Sequence, residues 1–316
     1  MAVNQLAPSS EPGPVSVPEP PRLEFLSRLA AIATPSVRGA TRQLLRAGQA
    51  RRSEHLEGLS AESLRAVNEL AQPLLAQDIQ LLIEEDEQWP HQLDVLPSAP
   101  AYLFARGNLE LLRTPAIGMC GSRRASERGL GAARLCAATV AERGWHVVSG
   151  YAKGVDTETH LAALRAGGNT VIVLAEGILH FHRKRVFDGF PFNSKTVLVL
   201  SQFPPSQRWT AGAAMTRNGV IVTLGGALVV IEAGETGGTV AAGRQALTLQ
   251  HPVFALEFSD GPRKGNQALI DNGARTLRSR GELVAALDQL QADLPDEAMT
   301  CDIPGHAPEQ AIRLRL

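Results

Sequence analysis

The sequence predicts an α/β fold in which a parallel sheet, covered by helices on both faces, follows a small all-helical domain. Between Ala116 and Leu256, short apolar runs alternate with amphipathic segments of about ten to fifteen residues, a pattern typical of βαβ units. Before residue 80, apolar residues instead recur three and four positions apart, as in short amphipathic helices. The chain has 316 residues and is 44% hydrophobic, so it is large enough to bury a sizeable core.

The first 80 residues are predicted to form a tail and a helical domain. Residues 1–22 contain six prolines and few large apolar side chains, which predicts a disordered, proline-rich tail. The helical domain is predicted to span residues 23–80. Its first helix begins near Leu23, its second ends at Gly48, and Ser60 is a suitable N-cap for its third.

The larger domain is predicted to span residues 81–282. A connector rich in turn residues opens it, and strands then alternate with helices. The predicted strands are Ala116–Cys120, Trp145–Ser149, Thr170–Leu174, Lys195–Leu200, Ala227–Glu232 and Pro252–Leu256. The predicted helices are an amphipathic segment ending at Arg143, Asp156–Ala166, Ala213–Leu224 and Val240–Leu249. Residues 283–316 are predicted to form a short helix and an acidic tail.

The net charge of −1 conceals one basic and one acidic segment. Gly177–Ile231 contains six Lys and Arg residues and a single acid, Asp188. Asp288–Asp302 contains five acids and no base. The basic segment is therefore a candidate contact for a polyanion, although the total charge alone does not predict one.

Composition argues against several classes of protein. No apolar run approaches the roughly 20 residues of a membrane span, and no export signal opens the chain. The three cysteines form no CxxC pair, and His180 and His182 have no third ligand at a recognisable spacing. We therefore expect a cytoplasmic protein with no disulfide framework, no metal and no cofactor.

Three glycine-containing loops are predicted to leave the carboxyl ends of strands, where ligands bind in parallel sheets. Free helix N-terminal amides together with Arg and Lys side chains suit a phosphate group. The candidate phosphate-binding residues are Gly121, Ser122 and Arg123 in the first loop, Ser149, Gly150, Lys153 and Gly154 in the second, and Gly237, Gly238 and Thr239 in the third. None of the loops is a GxGxxG or Walker A motif, so the sequence predicts no dinucleotide or nucleoside triphosphate site.

Some of these residues have a structural interpretation beside the functional one. Asp156 is a potential N-cap of the helix after the second loop, and His160 is either a general base or a helix-packing side chain. Six of the fourteen aromatic residues lie among the bases between Phe181 and Trp209. They suit the stacking of unpaired nucleobases, or they form an aromatic lid packed on the sheet.

A series of motifs in fixed order connects the chain to a known family. The motifs are Trp89-Pro90-x-x-Leu93, Pro100-x-x-Leu103-Phe104-x-x-Gly107-Asn108, Gly121-Ser122-Arg123, Ser149-Gly150-x-Ala152-Lys153-Gly154-Val155-Asp156-x-x-x-His160, Arg217-Asn218, Val229-x-Ile231-Glu232-Ala233, and Gly265-Asn266-x-x-Leu269-Ile270-x-x-Gly273-Ala274. In these motifs, over about residues 80–282, the chain resembles the DNA-processing protein A (DprA/Smf) family. The helical region before them resembles the SAM-like domain that such proteins carry.

The resemblance implies both a fold and a function. It implies an extended Rossmann-like domain that binds single-stranded DNA without sequence readout and has no enzymatic activity. It also implies a homodimer that assists RecA loading in DNA recombination and natural transformation. The family's phosphate pocket maps onto Ser122, Arg123, Ser149, Gly150, Lys153 and Gly154, and its Arg-Asn-Arg triplet begins at Arg217 and Asn218.

The chain departs from the family pattern at several positions. Gly219 replaces the third residue of the Arg-Asn-Arg triplet, and Ala214-Met215 replaces the preceding Phe-Pro. Glu176 lies within the usual Gly-Thr-Gly and would place a carboxylate near the phosphates. The chain is also expected to lack the winged-helix domain of many members, because few residues follow residue 282.

Two other functions are compatible with the sequence. The first is a small-nucleotide sensor or a nucleoside-monophosphate phosphoribohydrolase-like enzyme of the wider superfamily, with Glu232 and Glu235 as possible acids. The second is a scaffold whose binding site has decayed, as Gly219 and Glu176 suggest.

Overall fold

The computed structural model describes residues 20–34 and 40–293. The tail predicted before Pro20 and the acidic tail predicted beyond Asp293 lie outside the described residues. The chain divides into two compact units after Asn68. The predicted domain boundaries at residues 22, 80 and 282 remain predictions.

The first unit is helical, as the sequence predicts. Its helices are α1 (Pro20–Ala33), α2 (Ala40–Arg46) and α3 (Gln49–Glu57), and α4 (Ala61–Leu75) contains the division between the units. Proline is tolerated in the first turn of a helix, so α1 begins three residues before the predicted Leu23. Ser60 caps α4 as predicted, because its hydroxyl accepts a hydrogen bond from the Ser63 amide at 3.2 Å.

Helix α3 has no sequence signal, because its segment QARRSEHLE is almost entirely polar. It is nevertheless buried on one side, where Leu56 and Arg52 are covered. The Arg52 guanidinium is fully buried and donates a 2.7 Å hydrogen bond to the Leu45 carbonyl of α2. This bond to the end of the preceding helix compensates part of the cost of burying a charged side chain.

The second unit contains a mixed sheet with helices on both faces. Its strands are β1 (Gln80–Ile83), β2 (Tyr102–Gly107), β3 (Ala116–Cys120), β4 (His146–Ser149), β5 (Thr170–Val173), β6 (Val197–Ser201), β7 (Leu228–Val230), β8 (Val253–Phe258), β9 (Gly261–Pro262) and β10 (Arg275–Leu277). Its remaining helices are α5 (Glu127–Glu142), α6 (Val155–Arg165), α7 (Ala211–Leu224), α8 (Gly238–Thr248), α9 (Lys264–Ile270) and α10 (Arg280–Ala292).

The strand order is β1-β2-β6-β5-β4-β3-β7-β8-β10, with β9 paired to β8 alone. All pairs from β6 to β10 along this path are parallel, which confirms the predicted α/β fold class. The β1-β2 and β2-β6 pairs are antiparallel and were not predicted. Strand β2 lies in the connector whose many turn residues had indicated loops.

Two apolar clusters fill the space between the sheet and its helices. One contains residues of α7, α8 and α9, including Val220, Val240 and Leu269. The other contains residues of α5, α6 and α10, including Val140 and Ala162. The helices that follow β3 and β7 therefore cover opposite faces, and the strand order reverses between these two strands. In open α/β sheets such a reversal leaves a crevice at the carboxyl ends of the strands.

Among the described residues, none of the helices combines the length and the apolar composition that a bilayer crossing requires.

Candidate functional site

The three glycine-containing loops meet above one region of the sheet. The strands that they follow, β4, β3 and β7, are neighbours in the strand order, and all three run parallel. Their carboxyl ends therefore lie at the same edge, and the loops that begin at Gly121, Gly150 and Ile231 surround the crevice there.

The first loop makes a close backbone approach that only glycine permits. A Cβ atom on Gly121 would lie 2.4 Å from Cγ2 and 2.7 Å from Cβ of Val155, the first residue of α6. Thr239 also contacts this loop, because its hydroxyl donates a 3.0 Å hydrogen bond to the Gly121 carbonyl. The glycine thus allows the first and second loops to pack together at the crevice.

Several backbone amides of the first loop, which we expected to be free for a ligand, donate hydrogen bonds within the protein. The Ser122 amide donates to the Glu232 carbonyl at 2.8 Å, and the Arg124 amide donates to the Ser122 hydroxyl at 3.0 Å. The Ser126 amide and hydroxyl both donate to the Glu232 carboxylate, the hydroxyl at 2.7 Å. The expectation of an amide-rich first loop is therefore wrong for these three amides, since the chain itself satisfies them.

Replacing Gly121 by alanine is expected to lower the free energy of unfolding by about 1–3 kcal/mol, because the new methyl group overlaps Val155. Gly131 in α5 is the matched control, since no atom lies within 4 Å of its Cβ position. Gly131→Ala is expected to raise stability by about 0.5–1 kcal/mol, the helical advantage of alanine. Urea denaturation midpoints measure both effects. A Gly121→Ala protein as stable as the wild type would contradict the close approach.

The second loop is held in place from several sides. Ser149 is fully buried, and its hydroxyl donates a 2.7 Å hydrogen bond to the Met119 carbonyl in β3. Gly154 has a φ of +78° and lies so close to the first loop that a Cβ would be 2.4 Å from the Ser122 carbonyl oxygen. The Ala152 amide donates to the Asp156 carboxylate at 3.2 Å. Ser149 and Gly154 therefore shape the loop from behind rather than facing the crevice.

Lys184 holds the same loop in place, a role that its position in the basic segment did not indicate. Its half-buried ammonium donates to the Tyr151 carbonyl at 2.8 Å, the Thr157 hydroxyl at 3.1 Å and the Ala152 carbonyl at 3.3 Å. It also lies 4.0 Å from the centroid of the Tyr151 ring. Burial lowers the pKa of Lys184, and Asp156 opposes that shift.

The third loop ends at the uncapped start of α8. Gly237 is the N-cap residue, with a φ of +112° and no side chain to satisfy the first amides of the helix. The Asn218 side-chain amide donates a 3.2 Å hydrogen bond to the Gly238 carbonyl, which ties α7 to this loop. The positive end of the α8 dipole is thus available to a negative group in the crevice.

The floor of the crevice carries a buried pair of opposite charges. Arg217 is 7% exposed and donates a hydrogen bond to the Val173 carbonyl, and Asp156 is also 7% exposed. A Cβ on Gly150 would lie 2.2 Å from Nη1 of Arg217 and 2.3 Å from Oδ2 of Asp156, so both groups pack against this glycine. Burial raises the pKa of Asp156 and lowers that of Arg217, while the attraction between the two opposes both shifts.

His160 is a packing side chain in this structure. It is fully buried, with Nε2 2.6 Å from the Gly150 carbonyl oxygen and Nδ1 2.6 Å from the Thr170 hydroxyl. A carbonyl oxygen only accepts, so Nε2 carries a ring proton. The Thr170 hydroxyl lies between Nδ1 and the Val147 carbonyl oxygen, to which it donates a 3.0 Å hydrogen bond. Burial lowers the pKa of His160 to about 4. Both ring nitrogens are occupied, which leaves neither of them for general base chemistry.

Two connected grooves open above this floor. The first, here called the β3/β7 groove, has a volume of about 480 Å³ and lies between the ends of β3 and β7. The second, the Arg123/Trp209 groove, has a volume of about 400 Å³. Four residues line both grooves: Arg123, Arg124, Ala152 and Arg217.

The grooves contain most of the residues predicted for the site. Those that line one or both grooves are Gly121, Ser122, Arg123, Lys153, Arg217, Asn218, Gly237, Gly238 and Thr239. Ser149, Gly150 and Gly154 are absent from both linings and support the second loop. The structure adds Arg124, which the sequence had not singled out although it follows Arg123 directly. The role of the predicted residues in binding a ligand remains a prediction.

Exposed cations and one carboxylate surround the Arg123/Trp209 groove. Arg123, Arg124 and Lys153 are exposed, whereas Arg217 lies below them on the floor. Glu176 is half-buried and also lines this groove, where the sequence had placed a carboxylate near the phosphates. Cations therefore outnumber acids in the lining, and the groove favours an anion.

Three of the six aromatic residues of the basic segment pack with Tyr151 in one cluster. The rings of Tyr151, Phe181, Phe187 and Phe192 lie 4.9–6.2 Å apart in successive pairs. The Arg165 guanidinium lies 4.9 Å from the centroid of the Phe190 ring. For these rings the structure supports the aromatic lid over nucleobase stacking. Trp209 is different, because it is exposed and lines the Arg123/Trp209 groove.

The two acids of the hydrolase alternative have other partners. Glu232 accepts hydrogen bonds from the N-cap residue Ser126 of α5, and a Cβ on Gly129 would lie 2.2 Å from its Oε2 atom. Glu235 is exposed and forms a 3.2 Å ion pair with Lys264. In the described part of the chain, no three His, Cys, Asp or Glu side chains are grouped as a metal site would require.

Fold and site together define a Rossmann-like α/β protein with a basic groove where the strand order reverses. The family described as DNA recombination-mediator protein A matches residues 80–288. DNA processing protein DprA of Streptococcus pneumoniae is 32% identical over 208 residues, covering 64% of this chain and 72% of that protein. Protein Smf of Synechocystis is 28% identical over 214 residues, 66% of this chain and 54% of that protein. The chain belongs to the DNA recombination-mediator protein A family.

Solved structures agree with this assignment. The X-ray structure of the pneumococcal DprA superposes with a TM-score of 0.62 at 27% identity, over 82% of this chain and 86% of that chain. DNA processing protein A of Helicobacter pylori, whose structure was described for its single-stranded DNA binding mode, superposes with a TM-score of 0.58 at 21% identity. It covers 67% of this chain and 96% of that chain and supports the fold. The predicted family and fold are confirmed, and the small-nucleotide alternative is not favoured.

Proposed function

We propose that this recombination mediator binds single-stranded DNA through the phosphate backbone, without reading its sequence. The observation that carries the proposal is the placement of Arg123, Arg124 and Lys153, all exposed, around one groove at the switch in strand order. The uncapped α8 N-terminus opens on the adjoining β3/β7 groove. Contacts to phosphates fix the position of a strand but carry no sequence information.

In this proposal the predicted site residues divide into two roles. Arg123 and Lys153, joined by Arg124, contact phosphates, and Gly237, Gly238 and Thr239 present the amides of α8. Arg217 is buried and donates a hydrogen bond to Val173. It therefore holds the floor of the crevice in place, and its positive charge lies beneath the exposed cations. A second set holds the loops in place: Gly121, Ser122, Ser149, Gly150, Gly154 and Asn218.

We also propose that the chain acts without catalysis, metal or cofactor. His160 is engaged at both ring nitrogens, and Glu232 and Glu235 have partners within the protein. Family membership supports a cytoplasmic homodimer that assists RecA loading in recombination or natural transformation. Size-exclusion chromatography with light scattering and a pull-down with RecA test these two partners directly.

The DNA-binding proposal is tested by titrating a fluorescent oligo-dT with wild-type and variant proteins at several salt concentrations. Each phosphate contact contributes about −0.7 to the slope of log K against log salt for a single strand. Arg123→Ala and Lys153→Ala are each expected to weaken binding several-fold and to reduce the slope by about this amount. The matched control is Arg244→Ala, because Arg244 is exposed on α8 and lines neither groove. Unchanged affinity and slope in both groove variants would contradict the proposal.

A further inference from the structure

Trp209 is an exposed aromatic residue that lines the Arg123/Trp209 groove and packs against none of the other rings of the basic segment. Trp209 is 47% exposed, whereas Trp89 and Trp145 are each 4% exposed. Exposing a large indole to water forgoes the stabilisation that its burial would provide. The other rings of the basic segment described above contact one another or Arg165.

Trp209 lies beside the cation proposed to bind phosphate. The guanidinium carbon of Arg123 is 5.4 Å from the centroid of the Trp209 ring, within the range of a cation–π interaction. Arg124 and Lys153 line the same groove. An exposed π surface therefore lines the same groove as three exposed positive charges.

The backbone at Trp209 is anchored rather than free. The next residue, Thr210, is the N-cap of α7, and its hydroxyl accepts a 3.0 Å hydrogen bond from the Ala213 amide. Helix α7 in turn carries Arg217 and Asn218, which bond to Val173 and Gly238. The backbone beside Trp209 is thus held by the same helix that carries Arg217 and Asn218 at the groove.

We propose that Trp209 is the nucleobase-stacking residue of the groove, and that it gives the protein its preference for unpaired bases. This inference rests on the proposed function, because the stacked base must belong to a strand held through its phosphates. Every nucleobase has a π face, so stacking on one tryptophan requires no particular sequence. In a duplex both faces of a base are covered by its neighbours, and the ring then has no partner.

The charge of the surroundings selects a nucleic acid over a protein partner. A protein hot spot built on tryptophan is usually surrounded by groups that exclude water. Here the exposed charged groups of the groove are guanidinium and ammonium groups, which outnumber the half-buried Glu176 carboxylate and suit a polyanion. A nucleotide strand supplies both partners at once, a base for the indole and phosphates for the cations.

The test uses the full chain and two probes of equal length, an oligo-dT and an oligonucleotide of abasic sites. Trp209→Ala is expected to weaken oligo-dT binding about tenfold, equivalent to about 1.4 kcal/mol, and to leave binding of the abasic strand unchanged. Trp209→Phe keeps a π face and is expected to restore most of the affinity. Val186→Ala is the control, since Val186 is an exposed apolar residue of the same basic segment and lines neither groove.

Intrinsic fluorescence gives a second readout. Because the other two tryptophans are buried, oligo-dT is expected to quench wild-type emission, and Trp209→Phe is expected to remove that quenching. Unchanged oligo-dT affinity in Trp209→Ala overturns the inference, and leaves the proposed function intact if Arg123→Ala still weakens binding. Equal loss for both probes also overturns it, because the ring would then act only through Arg123. Failure of the wild-type protein to bind either probe overturns the proposed function and this inference together.

Discussion

Replacing Asp156 by alanine is expected to lower the free energy of unfolding by about 3 kcal/mol or more. The substitution leaves the Arg217 guanidinium buried, 7% exposed, without the nearby carboxylate that offsets its desolvation. Removing one member of a buried pair of charges typically costs about 3–5 kcal/mol. The Ala152 amide also loses its acceptor, so the second loop loses one of its supports.

The measurement is urea denaturation followed by tryptophan fluorescence. Trp89, Trp145 and Trp209 all lie after Asn68, so their emission reports on the second unit alone. The double variant Asp156→Ala/Arg217→Met removes both charges and is expected to be more stable than Asp156→Ala, because no unpaired charge remains. Strict additivity of the two single substitutions would show that the two groups do not interact.

Lowering the pH from 7 to 5 is expected to destabilise the second unit by about 4 kcal/mol through two buried histidines. Burial lowers the pKa of His146 and that of His160 from 6.5 to about 4. Between these values the unfolded chain binds protons that the folded protein excludes, so stability falls as the pH decreases. Each histidine contributes about 2 kcal/mol of this loss at pH 5 and about 3 kcal/mol at pH 4, and its contribution becomes constant below about pH 3.

Unfolding free energies measured between pH 4 and pH 7.5 test this prediction. His160→Gln is expected to lose stability at pH 7, because its two 2.6 Å hydrogen bonds are disturbed, and to show a shallower pH dependence. His182→Gln serves as the control, since His182 is exposed. If wild type and His160→Gln have the same slope between pH 5 and pH 6.5, His160 is not the source of the acid sensitivity.

The sequence was most informative where one local pattern decides the outcome. The six predicted strands and the helices between them are all present, with ends shifted by up to two residues, because buried parallel strands appear as continuous apolar runs. The positions of the three loops follow from those strands. Gly121 has no room for a side chain because of its close contact with Val155, whereas its role in phosphate binding stays a prediction.

The sequence was least informative where partners are distant in the chain. The Ser122 amide bonds to Glu232, and the Lys184 ammonium bonds to Tyr151, so neither group offers what its local pattern suggested. Strand β2 pairs with β6, which lies almost a hundred residues further along the chain. A pairing between such distant segments leaves no local pattern in the sequence. The exposure of a side chain also depends on residues that are distant in the sequence. The sequence alone therefore could not distinguish the exposed Trp209 from the packed phenylalanines.

The strand order also determines when the groove can exist during synthesis of the chain. Strand β3 lies between β4 and β7 in the sheet. Strand β4 is synthesised soon after β3, whereas β7 is synthesised only after β5, β6 and α7. The wall formed by Gly237 and Thr239 comes later still. A nascent chain released before Thr239 would expose one side of β3 and carry Arg123 without the opposite wall. We therefore expect the two walls of the groove to come together only after the third loop has been synthesised.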